Sequence, residues 1–190
     1  AENDLEDMGA SSDTGARKPL GVPGKLLVSI AAVWSLFQLW IASPLPYIVG
    51  FGVFSATEAR SIHLAFALFL AFMAYPAFKR SPRDRVPLAD WALAAVAAFC
   101  GAYLFIFYAD LAQRPGLPIT QDIIVGVVGI LMLLEATRRA LGPPLMIVAA
   151  VFIAYSLFGP YMPGILAHRG VSLGGLINHQ WLGTQGVFGI

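Results

Sequence analysis

Glu135, Arg138 and Arg139 have the residue types and spacing for ion chemistry. Glu135 lies well inside an apolar run, where a carboxylate is expensive and often marks an ion or substrate path. The arginines stand at i+3 and i+4, the favourable orientation for a helical ion pair. Two roles are open to the trio: pairing that anchors a helix end, or coupling and subunit contact. Arg60 and His63, one turn apart with Glu58 close by, suit either an interfacial cap or a polar contact with an extracytoplasmic partner. A metal or haem would need His63, His168 and His179 converged with a satisfied second shell, yet there is no HExxH and no histidine pair at helical spacing. The single cysteine, Cys100, offers neither an internal disulfide nor a Cys metal site. No serine stands in a motif with His and Asp, and no glycine-rich phosphate loop precedes a helix, so the sequence provides for neither nucleophilic catalysis nor ATP hydrolysis.

The elements that must position these residues are apolar. Of the 190 residues, 58% are hydrophobic and 12% charged, outside the range of a soluble globular domain. The charges are clumped between runs at about residues 26–42, 61–78, 88–109, 123–137 and 144–159. Each approaches the length of about 20 helical residues that spans a bilayer core. The run before Arg138 is short and gains length through Leu117, Ile119 and Gln121 and through arginine snorkelling. None alternates polar and apolar as a membrane barrel requires. The expected fold is therefore all-α, a polytopic membrane helix bundle of about five transmembrane helices.

Charge sets the expected orientation. Arg17, Lys18 and Lys25 precede the first run, Lys79, Arg80, Arg83 and Arg85 follow the second, and Arg138 and Arg139 follow the fourth. The alternate connections hold only Arg60, Arg114 and Arg169. The positive-inside rule then predicts a cytoplasmic N-terminus and a fifth run that ends outside. With basic residues confined to membrane boundaries, nucleic acid is not an expected partner.

Four segments follow: a disordered cytoplasmic leader (1–24), a four-helix membrane domain (25–140), a connector transmembrane helix (141–160), and an interfacial segment opening a further domain (161–190). The acidic leader, and Trp34, Gln38 and Trp40 inside the first run, fit an uncleaved anchor better than a secretory signal. The connection from Ser43 to Arg60 suits the outer interface through Tyr47, Phe51 and Phe54. Thr120 is the expected cap of the fourth helix, and Pro143 and Pro144 suit the first turn of the fifth. Ser172 can cap a short helix with Leu173, Leu176, Ile177 and Trp181 on one face, the pattern of an interfacial helix. Small-residue stripes at Ala31, Ser35, Gln38 and Ala42, at Ala94, Ala98 and Ala102, and at Asp122, Gly126 and Gly129 suit close helix packing in lipid. The chain lacks an initiator Met and stops as another apolar segment begins, so it reads as part of a longer polypeptide.

Three stretches carry a resemblance: RSIHLAFALFLAF (Arg60–Phe72), LLEATRRALGPPL (Leu133–Leu145) and HRGVSLGGLINHQWLGTQGVFGI (His168–Ile190). In order and spacing they resemble the fused permeases of tripartite ATP-independent periplasmic (TRAP) transporters. The nearest type joins a small four-helix subunit to a large twelve-helix subunit and works with a TAXI-type binding protein. The likeness covers nearly all of the chain after about Lys25. It implies symport of an organic anion, often a carboxylate, delivered by an extracytoplasmic solute-binding protein to a multi-pass permease of the bacterial inner membrane. Residues to about Arg139 would correspond to the small subunit, a scaffold that braces the large one. The substrate and coupling-ion sites, sodium being the expected ion, would lie in the large subunit, so none is assigned here and no cofactor is expected in this chain.

The leading expectation is thus a non-enzymatic scaffold in contact with lipid, the rest of the permease and the binding protein, with Arg60 and His63 as candidate docking residues. A stand-alone membrane scaffold and a redox or metal-binding membrane subunit are the alternatives.

Overall fold

A computed structural model describes residues 15–189 apart from 18, 20 and 79, and among these there are helices and no strand. Most of the leader, with Lys18, Lys79 and Ile190, lies outside the described residues. The helices are α1 (Val22–Ala42), α2 (Leu45–Val49), α3 (Ala56–Ala74), α4 (Leu88–Ile106), α5 (Tyr108–Ala112), α6 (Thr120–Leu141), α7 (Pro143–Phe158) and α8 (Leu173–Ile177). Four helices are long and apolar enough to cross a membrane: α1, α3, α4, and α7 with its extension to Tyr161.

Local chemistry sets the helix starts. Ser55 and Glu58 form a capping box at α3, with the Ser55 amide donating to the Glu58 carboxylate at 2.8 Å and the Glu58 amide to the Ser55 hydroxyl at 3.3 Å. Pro143 opens α7, where a missing amide costs nothing. Thr120 does not cap α6; it is the first helical residue, and the Asp122 carboxylate accepts the Ile119 amide at 2.9 Å instead.

The closest packing joins α3 and α4. A Cβ on Gly101 would stand 2.9 Å from the Ala65 nitrogen, so only glycine allows this approach. Beside it the Ser61 hydroxyl donates to the Gly101 carbonyl at 2.7 Å and accepts the Phe105 amide at 3.1 Å. The buried small residues of α4 are Ala94, Ala97 and Gly101, rotated from the expected Ala94, Ala98 and Ala102. Ala98 and Ala102 line a groove shared with α1 and α3.

Helix α1 has no buried residue. It meets α3 through Trp34 and Phe37, whose rings lie 6.4 Å and 6.2 Å from Phe66. Of its expected small and polar stripe, Ser35 is exposed and turns its hydroxyl back to the Ala31 carbonyl. Bulky aromatics therefore make this contact together with Gln38, the member of the stripe that reaches His63 of α3. In the first connection Tyr47 and Phe51 are exposed, whereas Phe54 packs between Phe37 and Phe105.

After α7 the chain folds back onto the bundle. Ser172 caps α8 as expected, accepting the Gly175 amide at 3.1 Å. Leu176, Ile177 and Trp181 are buried and Leu173 is half-exposed, so this face is a packing face and not an interfacial one. It sits on α6, where side chains at Gly126 and Gly129 would overlap Ile177 and Trp181. The core consequently contains Phe72, Leu68, Tyr103 and Leu104 together with Trp181 and Phe188.

Candidate functional site

The charged side chains of the bundle gather at its two ends. At one end, Asp90 in the first turn of α4 bridges two arginines. Its carboxylate receives the Arg17 guanidinium at 2.5 Å and the Arg139 guanidinium at 2.8 Å. Arg139 also reaches Glu135 at 2.7 Å, and Arg138 grips both Glu135 oxygens at 2.7 Å. The order Arg17–Asp90–Arg139–Glu135–Arg138 is one alternating chain of charge. Side chains of Arg17 and Arg139 are 0% and 3% exposed, so their charges depend on these partners.

Further donors of these arginines reach backbone carbonyls. Arg17 donates to the carbonyls of Phe72 and Pro82, and its backbone amide to that of Ala74. Its burial corrects the expectation of a wholly disordered leader: Arg17 is clamped to α3 and α4, with α1 beginning five residues on. Arg139 also lies over the Phe72 ring at 4.7 Å and Arg138 over Phe78 at 5.6 Å, and Arg138 donates to the Ala77 carbonyl at 2.9 Å. The cluster thus joins the leader, the turn after α3, the start of α4 and the end of α6.

At the other end the fully buried Asp122 accepts the Tyr103 hydroxyl at 2.6 Å and a bidentate grip from Arg114. These bonds push the Arg114 guanidinium up from its already high ordinary value. Asp90 and Tyr103 mark the two ends of α4, and Arg139 and Asp122 the two ends of α6. The helices are therefore antiparallel neighbours held at both ends, and α6, with 22 residues, runs the whole length of a helix able to cross a membrane.

Arg60 and His63 part company. The Arg60 guanidinium, half-buried, donates to the Phe188 carbonyl at 2.9 Å and so holds the segment after α8. His63 turns to α1, where it meets Gln38 and the Trp34 indole N–H, the latter at 3.3 Å. Glu58 serves the cap of α3. His168 is bonded to the Tyr155 carbonyl and the Gly170 amide, and His179 is exposed. Among the described residues no three His, Cys, Asp or Glu side chains come together as metal ligands.

Sequence reasoning used Arg17 and Arg114 only as orientation signals and passed over Asp90 and Tyr103. Asp90 was legible as a carboxylate in a helix first turn, a favoured place for negative charge. Nothing local signalled that Arg17 would find it.

No family model matches this chain, nor does any curated protein or solved structure. The features on which a functional reading rests are the apolar helices and the paired charges at their ends.

Proposed function

We propose that this chain is the membrane-embedded scaffold portion of a secondary active, ion-gradient-driven TRAP-type permease. It spans the bacterial inner membrane five times with a cytoplasmic N-terminus, through α1, α3, α4, α6 and α7 in turn. The cargo is an organic anion, a carboxylate by the family's habit, delivered by an extracytoplasmic binding protein. Resemblance in Arg60–Phe72, Leu133–Leu145 and His168–Ile190 carries the family assignment.

One observation carries the scaffold role: the buried charges of the described residues are paired, and their bonds tie α4 to α6 at both ends. Asp90 and Arg139 tie α4 to α6 at one end, and Tyr103 and Asp122 tie them at the other. Groups committed in this way brace a bundle; they are not held ready for a passing anion. The interhelical grooves of about 370 and 280 Å³ are lined by apolar side chains such as Ile62, Phe66, Ile130 and Leu134, which suits lipid or helix contact. The basic residues Arg17, Arg83, Arg138 and Arg139 sit at the end assigned to the cytoplasm, in keeping with the positive-inside rule.

The test begins with the reading frame beyond the codon for Ile190. A frame continuing through about eleven or more apolar segments, with a neighbouring gene for a secreted binding protein, supports a fused permease; a stop codon overturns it. The full-length product in proteoliposomes should then take up the anion that copurifies with that binding protein, and only under a sodium gradient.

A further inference from the structure

A cleft of about 430 Å³ opens at the basic end of the bundle, with Phe78, Arg83, Arg138, Arg139 and Gly142 among its walls. The surrounding charges do not balance. Among the described residues Arg17, Arg138 and Arg139 face only Asp90 and Glu135 in the paired chain, and Arg83, beside the exposed Asp84, adds a further cation. Arg138 commits its Nε and one amino group to Glu135 and Ala77, while its Nη1 makes no hydrogen bond among the described residues. Its side chain is 29% exposed, and that of Arg83 is also exposed. Among the described residues the cleft therefore holds a surplus of positive charge and an available guanidinium donor, the chemistry that receives a phosphate diester.

Its surroundings distinguish a lipid from a soluble anion. Phe78 and Leu141 are 71% and 69% exposed, and α7, which begins at the cleft wall with Pro143, presents Leu145, Val148 and Phe152 outward. A headgroup in the cleft would continue into acyl chains lying along this apolar face. Basic pockets between membrane helices at the cytoplasmic side take anionic headgroups in this way. We infer that the cleft is a binding site for one anionic phospholipid, its phosphate held by Arg83 and Arg138. The inference rests on membrane embedding and is independent of transport.

The full chain, purified in neutral detergent, is titrated with phosphatidylglycerol, phosphatidylcholine and inorganic phosphate, following the unfolding midpoint and bound lipid by native mass spectrometry. Phosphatidylglycerol should raise the midpoint and give a single bound lipid, with the other two inert. Arg83→Gln, which leaves the Glu135 pairs intact, should weaken that affinity about fivefold, the weight of one arginine at an anionic surface. Arg169→Gln, outside the cleft, should not. Equal response to phosphatidylcholine, competition by free phosphate, or an unaltered Arg83→Gln variant would overturn the site. Extraction of the chain from membranes by alkaline carbonate would instead overturn the embedding on which it depends.

Discussion

Trp181 occupies the space left by the missing side chain of Gly129, and its indole N–H donates to the Cys100 carbonyl 81 residues away at 3.2 Å. A methyl group on Gly129 overlaps that ring, which is 0% exposed and has no room to retreat. Gly129→Ala should destabilise the bundle by about 1–3 kcal/mol, as overpacking does. The check is the thermal unfolding midpoint in detergent, with Gly174→Ala, where a Cβ meets only the Ile123 side chain at 3.8 Å, as a comparison for a glycine with room to spare. An unshifted midpoint for Gly129→Ala would mean that Trp181 does not use this notch.

The Arg114–Asp122 pair is asymmetric, since the carboxylate is 0% exposed and the guanidinium 24%. Arg114→Ala strands a buried charge and should cost roughly 3–5 kcal/mol. Asp122→Asn leaves an arginine able to turn toward solvent and should cost less, about 1–3 kcal/mol. Denaturation of both variants under identical conditions reads the order directly, and a reversed order refutes the argument.

Asp90 separates two buried arginines. Asp90→Ala leaves Arg17 and Arg139 facing one another, so it should be more damaging than Arg17→Ala alone. Removing both Asp90 and Arg17 should recover part of the loss, with a coupling of roughly 0.5–3 kcal/mol in a double-mutant cycle. Strict additivity would show that Arg17 is not held there.

The orientation is testable with labels. In a Cys100→Ala background, Gln113→Cys and Asp84→Cys place single exposed thiols at opposite ends of α4. A membrane-impermeant maleimide added to intact spheroplasts should label Gln113→Cys at least about tenfold faster than Asp84→Cys. Leu141→Cys, at the far end of α6, should behave like Asp84→Cys. Rapid labelling at Leu141 would refute the proposal that α6 also crosses.

The helices were legible because lipid-length apolar runs are a strong one-dimensional signal: the runs from 26, 61, 88, 123 and 144 all fall within or across observed helices. The Glu135 pairs were legible because i+3 and i+4 neighbours meet on any helix. Faces were harder. Ala97 and Gly101 replaced Ala98 and Ala102 because the rotation of α4 is set by Ala65 and Ser61 of another helix, and spacing within α4 carries no record of them. Arg17–Asp90 and Arg60–Phe188 join residues 73 and 128 positions apart, and no local pattern names such partners. The amphipathic spacing of Leu176, Ile177 and Trp181 was read correctly as a face, but spacing alone does not say whether lipid or the Gly126–Gly129 surface will cover it.

The clasp of Arg60 on Phe188 has a consequence for biogenesis. A chain is made from its N-terminus, and early segments begin to fold before late ones emerge. The α3–α4 hairpin forms from neighbouring segments, and α6 can then join it through Asp90 and Asp122. The notch at Gly126 and Gly129 and the guanidinium of Arg60 must wait for Trp181 and Phe188 to leave the ribosome. During that interval a half-made bundle carries an unfilled slot and an unengaged cation. A chain ending before Trp181 would therefore be helical yet still open along α6, with the surface at Gly126 and Gly129 uncovered.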